Sequence, residues 1–136
     1  MQAKVKKDIL FPELSYQIVG VCFEVFKQMG PGHHEKFYQR AVALELGKRG
    51  VEFRKELLVT TYFKETVVGR SYLDFLVEGK VILELKKGHG FSKHHIDQVL
   101  HYLRETNLQL GILVNFTQQG VVSRRIVNIH PPLSPT

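Results

Sequence analysis

Apolar residues recur at helical spacing through Leu14, Ile18, Val21, Cys22, Val25 and Met29, which predicts a first amphipathic helix. Gly30-Pro31-Gly32 stops it and turns the chain. A second helix is predicted from about His34 to Lys48, closing at Gly47 or Gly50. Strand-like sequence follows, over Leu57 to Phe63, roughly Arg70 to Val77, and Val81 to Lys86. The last of these runs apolar residue after residue, as a strand covered on both faces does. Gly88-His89-Gly90 reads as a loop, and a third helix spans about Lys93 to Glu105 with Ile96, Val99, Leu100 and Leu103 on one face. Leu110 to Phe116 reads as another buried strand and Arg125 to Ile129 as a short final one. The order ααβββαββ predicts an α/β or α+β architecture with a mixed sheet. The stretch from the Glu84 strand through the third helix to the Leu110 strand has the length of a right-handed parallel crossover. No repeat, low-complexity region or linker interrupts the pattern. One domain over residues 1–136 is therefore expected, with a core at about 14–129, short flexible ends and a frayed Pro131-Pro132-Leu133-Ser134-Pro135 tail.

Composition adds direction to this picture. A chain of 136 residues with 43% hydrophobic content can bury a real core. Its net charge of +6 and pI near 9.5 favour an anionic partner, nucleic acid being the commonest. Cys22 is the only cysteine, so no intramolecular disulfide and no all-cysteine zinc site can form, and its apolar neighbours predict an inert buried thiol. No apolar run approaches membrane-spanning length and the N-terminus lacks a signal-peptide core, so a soluble, cytoplasmic protein with no membrane partner is expected.

The chemistry concentrates on the second and third strands. Glu84 and Lys86 end the apolar Val81–Lys86 run, and period two puts both on one face. Charges there are costly unless paired. Asp74 in the preceding strand completes a set suited to metal-dependent phosphodiester cleavage. Magnesium neutralises phosphate charge, makes water nucleophilic and prefers oxygen ligands. Asp74, Glu84 and the Leu85 carbonyl would supply ligands, and Lys86 would hold the attacking water or stabilise transition-state charge. The hairpin loop decides whether they meet. A two-residue turn at Glu78-Gly79 sets Asp74 opposite Leu83 and on the other face from Glu84. A three-residue loop over Glu78, Gly79 and Lys80, or a bulge, pairs Asp74 with Glu84. The bland alternative is a solvated charged strip on an edge strand.

Elsewhere, Glu35 opens the second helix, where an acid suits the helix dipole, and shares a face with Tyr38. Gln98 and Tyr102 share another. His33, His34, His89, His94, His95 and His101 lack the spacing of a zinc-protease helix and read as surface histidines.

Gly32-x-x-Glu35-x-x-Tyr38 resembles the signature of the GxxExxY family. The resemblance extends through Phe23-Glu24-Val25, Leu44-Glu45-Leu46, Asp74 to Lys80, Glu84-Leu85-Lys86, Gln98 with Tyr102-Leu103, and Gly111 to Phe116, in order, from about Ile18 to Val127. That family lies within the PD-(D/E)XK nuclease superfamily, so the resemblance implies a restriction-endonuclease-like core, a mixed β-sheet flanked by helices. It implies a catalytic set of Glu35, Asp74, Glu84, Lys86 and Gln98, with Asp74, Glu84 and Leu85 holding Mg2+, or Mn2+ as substitute. Tyr38, Lys87 and Lys93 become candidates for contacting substrate. The sequence departs from the pattern at His33-His34 and at Lys87-Gly88, but no catalytic group is lost.

The expected function is thus a metal-dependent nuclease acting on DNA, the choice of DNA coming from the resemblance. The alternative is a catalytically silent module on the same fold. Such a module would bind nucleic acid through Lys86, Lys87, Lys93, Arg124 and Arg125, or would bind protein with its basic residues merely solvated. Small basic nucleases of this kind include junction resolvases that pair their sites, so a homodimer is a further expectation.

Overall fold

The structure, a computed structural model, describes residues 9–129. The expected frayed tail at Pro131–Pro135 lies outside the described residues. Helix α1 (Pro12–Met29) starts with a proline, whose missing N–H would have had no helical partner, and stops where Gly30 takes φ 74°. Helix α2 (Glu35–Lys48) is capped by the His34 ring, which accepts the Lys36 N–H at 3.2 Å. Helix α3 (Lys93–Thr106) opens on a Ser92–His95 capping box and ends at left-handed Asn107.

Strands β1 (Phe53–Phe63), β2 (Thr66–Val77), β3 (Val81–Lys87), β4 (Leu110–Phe116) and β5 (Val121–Val127) form one sheet in the order β1-β2-β3-β4-β5. All neighbours are antiparallel except β3 and β4, which α3 joins as the expected parallel crossover. Helices α1 and α2 cover one face, packing Ile18, Val21, Val42 and Leu46 against Phe75, Leu83, Leu85 and Ile112. Helix α3 covers the other with Val99, Tyr102 and Leu103 against Leu73, Ile82, Leu113 and Ile126. Hence β3 and β4 are buried on both faces, as their unbroken apolar runs required. The approach of α3 is close: a Cβ on Gly111 would lie 2.5 Å from Val99 Cγ1.

Three boundaries differ from the sequence reading. Strand β1 begins at Phe53 and β2 at Thr66, four residues earlier than the apolar pattern marks in each case, because ladder pairing holds the added segments, Phe53–Lys55 to Phe75–Val77 and Thr66–Gly69 to Thr61–Phe63. Strand β5 covers Val121–Val127 instead of Arg125–Ile129, since its ladder to β4 holds even the exposed Ser123-Arg124-Arg125. The histidines are less idle than expected. His33 bonds the Met29 carbonyl at 2.7 Å, and His101 bonds Thr61 at 2.9 Å, tying α3 to β1. Cys22 is fully buried, and burial pushes its thiol up to about 12, in keeping with an inert side chain.

Candidate active site

The β2–β3 hairpin settles the loop question. Val77 lies opposite Val81, Leu76 opposite Ile82 and Phe75 opposite Leu83, leaving Glu78, Gly79 and Lys80 as a three-residue loop. Glu78 and Gly79 both take positive φ (55° and 67°), and the Lys80 N–H closes on the Val77 carbonyl at 3.0 Å. This register carries Asp74 opposite Glu84. At that point the ladder stops and side chains replace it. The Asp74 N–H donates to Glu84 Oε1 at 2.6 Å, and the Leu85 N–H donates to Asp74 Oδ2 at 2.8 Å.

Strand β2 also turns over here. Leu73 packs beneath α3, yet Phe75, two residues on, packs beneath α1 and α2. On the β1 side, Glu56 faces Asp74 with φ 57°, and the ladder skips this pair. The sheet therefore forks at Asp74, and the two carboxylates occupy the fork.

Burial makes this pair expensive to ionise. Glu84 is 2% exposed, and desolvation followed by repulsion from Asp74 pushes its carboxyl up to about 8. Desolvation also raises Asp74, to about 6, against the lowering influence of the Leu85 N–H, Lys86 and Gln39. Near neutral pH the pair therefore retains a proton. Lys86 Nζ stands 3.9 Å from Glu84 Oε2 and donates to Gln98 Oε1 at 3.2 Å, so α3 steadies the lysine. Glu35, at the head of α2, shares with Asp74 a cavity of about 610 Å3 and raises both carboxyls through its field.

Among the described residues, no three His, Cys, Asp or Glu side chains draw together into a metal-binding group. The donor set is a pair of carboxylates with Glu35 set apart. That still fits a hard divalent cation, because magnesium takes one or two protein carboxylates and completes its shell with water and phosphate oxygens. Two buried acids held partly protonated by desolvation and mutual repulsion are the groups that a cation would discharge.

Asp74, Glu84, Leu85, Lys86 and Gln98 thus come together, with Glu35 across the cavity. Three other sequence candidates do not join them. Tyr38 is fully buried: its ring stacks on Phe116 at 4.1 Å and its hydroxyl donates to the Gly30 carbonyl at 2.7 Å, so contact with a phosphate is closed to it. Lys87 is exposed, but period two turns it to the face opposite Lys86. Lys93 points into solvent and pairs with Asp97 at 2.6 Å. Of the basic residues considered for binding, Arg125 is engaged with Ser15 and the Leu10 carbonyl at 2.8 and 3.0 Å.

Two residues escaped the sequence reading. Gln39 donates to Asp74 Oδ1 at 3.1 Å. Its signal was its i,i+4 spacing from Glu35 on α2. Asn115, fully buried, lies opposite Lys86 in the parallel ladder and donates to the Gly90 carbonyl at 2.9 Å, anchoring the loop after β3. It is the one polar side chain in the apolar Leu110–Phe116 run.

A mixed five-stranded sheet with helices on both faces and an acidic fork between β2 and β3 defines a restriction-endonuclease-like α+β fold. The chain belongs to the PD-(D/E)XK nuclease superfamily, whose family model matches residues 12–127. Among solved structures it resembles the crystal structure of SSO0001, with a TM-score of 0.55 and 18% identity over 73% of this chain, and it spans 50% of that one. It also resembles an alkaline exonuclease (LHK-Exo) from Laribacter hongkongensis, with a TM-score of 0.52 and 12% identity, covering 84% of this chain and 69% of that one. At such identities the likeness is one of fold. No curated protein sequence matches the chain.

Proposed function

We propose that this protein is a divalent-metal-dependent nuclease that hydrolyses phosphodiester bonds in DNA, within the GxxExxY group of its superfamily. One observation carries the reading: Asp74 and Glu84 face each other across the β2–β3 fork with Lys86 3.9 Å from Glu84. Asp74, Glu84 and the Leu85 carbonyl would hold Mg2+ or Mn2+. When bound, the ion supplies charge neutralisation on the phosphate and lowers the pKa of water. The chain's own groups do the rest. Lys86, held by Gln98, presents its ammonium to the phosphate oxygens and to the attacking water, stabilising charge as it develops. Gln39 fixes the Asp74 carboxylate by donating to Oδ1 while the Leu85 N–H donates to Oδ2, and each oxygen keeps a lone pair for a ligand. Glu35 adds negative charge across the cavity, favouring a cation between the two walls.

The test is cleavage of single-stranded, duplex, flapped and four-way-junction DNA with magnesium, manganese or EDTA. An Asp74→Asn/Glu84→Gln double variant serves as the contamination control. Metal-dependent cutting by the wild type alone is expected. Salt-sensitive binding without cutting would overturn the enzymatic reading in favour of a binding module.

A further inference from the structure

The β1–β2 ribbon extends beyond the helices, and one of its faces has no cover. Leu58 lies opposite Tyr72, and Thr60 opposite Arg70. The alternate face of the same ribbon, with Val59 and Leu73, packs beneath α3. The bare face is apolar and aromatic: Tyr72 is 61% exposed, Leu58 49%, and Tyr62, which follows Leu58 and Thr60 by period two along β1 to where the register shifts by one residue on β2, 58%. Exposed Arg70 stands between the two tyrosines along the ribbon. Among the described residues, the Tyr72 ring meets no other ring or cation, and Arg70 forms no ion pair.

Position gives this face its meaning. Tyr72 lines the cavity of about 610 Å3 that also holds Asp74 and Glu35, so the platform begins where the candidate centre ends. A second, smaller cavity on Asp74 shares Lys36 and Glu56 with the first, where the two pair at 3.6 Å, and adds the positive charge of Arg40 and Lys55. Flat aromatic rings beside a cation, running out of a phosphate-handling site, match what an unpaired nucleic-acid strand offers: exposed base faces and a charged backbone. A duplex keeps its bases stacked on one another and has no free face to give. An apolar protein partner would leave Arg70 desolvated without a counter-charge.

We infer that the Tyr72–Arg70–Tyr62 face is a stacking platform for an unpaired strand, so that the substrate is single-stranded or flapped nucleic acid. The inference rests on the nuclease reading for its placement but is tested without cleavage. Fluorescence anisotropy in EDTA would compare a labelled single strand with a duplex of equal length. The wild type is expected to bind the single strand more tightly. Tyr72→Ala should lose roughly tenfold for the single strand and little for the duplex, whereas Tyr72→Phe keeps the affinity. Arg70→Ala should weaken binding and flatten its salt dependence. Tyr72 is exposed, so an unchanged thermal melt would confirm that the alanine variant folds.

Equal binding of both nucleic acids, or undiminished binding by Tyr72→Ala, would overturn the platform. So would a change of oligomeric state on Tyr72→Ala in sedimentation, which would make this face a contact between copies. A parallel cleavage assay separates the two proposals. Single-strand binding that depends on Tyr72, without metal-dependent cutting, leaves the platform standing and removes the nuclease. Cutting that ignores Tyr72 does the reverse.

Discussion

Lys86 and Tyr38 show how differently two side chains from the same sequence pattern can be used. Lys86 reaches Gln98 and Glu84 without touching the Asp74 oxygens that are bonded to Gln39 and Leu85. Replacing it should therefore separate chemistry from metal binding. Lys86→Ala is expected to slow cleavage by about 10²–10³ while calorimetric Mg2+ affinity holds, and cutting at the wild-type rate would end its assigned role. Tyr38, stacked on Phe116 and bonded to Gly30, is a packing residue. Tyr38→Phe should cost about 1 kcal/mol in urea denaturation, through the lost hydrogen bond, and leave activity per folded molecule intact. A stable but inactive Tyr38→Phe would return the residue to the site. The sequence could place Tyr38 on the Glu35 side of α2, but residues three apart still diverge by about 60° round the helix axis. Only the packing shows that one side chain faces the cavity and the other the core.

The hairpin and helix α3 carry the next level of control. The Asp74–Glu84 pairing depends on one extra residue in the Glu78–Lys80 loop, because a one-residue slip reverses every side chain. Helix α3 delivers Gln98 and is seated on bare backbone at Gly111. Gly111→Ala would drive a Cβ to 2.5 Å from Val99 Cγ1, so α3 must lift. We expect a loss of about 1–3 kcal/mol in stability together with reduced cleavage, as Gln98 moves with the helix. A Gly111→Ala/Val99→Ala double variant should recover part of the activity by making room. If Gly111→Ala alone is fully active, α3 does not position Lys86. The sequence identified α3 by its apolar stripe and β4 by its apolar run. Their close approach was marked only by a glycine in a buried strand.

Across the molecule, two raised carboxyls make folding itself sensitive to pH. An acid with a higher pKa folded than unfolded leaves the native state holding more protons, so stability falls as pH rises through that interval. Here the fall should begin near the ordinary carboxyl range, at about 4, and continue through the Asp74 and Glu84 values of about 6 and 8. Divalent cation would replace those protons and reverse the penalty. The melting temperature in EDTA should therefore drop between acidic and mildly alkaline buffer, and Mg2+ should raise it more at the alkaline end. A pH-independent melt, or equal Mg2+ stabilisation throughout, would mean that the fork does not bind the ion. The basic excess of +6 acts separately, as a salt-screened attraction for nucleic acid spread over the surface.

Hydrophobic period and turn residues, read along the chain, were enough for eight elements, for the buried β3 and β4, for the parallel crossover, and for the acids and lysine at the ends of the hairpin strands. Those features are local, or follow from how far a connection can reach, and the chain records them directly. The outer ends of the β1–β2 ribbon and the start of β5 at Val121 left no such trace, because ladder hydrogen bonds hold them and an exposed strand needs no apolar signal. The fork at Asp74, the burial that raises both carboxyls, the separation of Glu35 from the pair, and the arrival of Gln39 and Asn115 all depend on distances between segments remote in sequence. Desolvation and register are properties of the packed molecule, and no single stretch of the chain contains them.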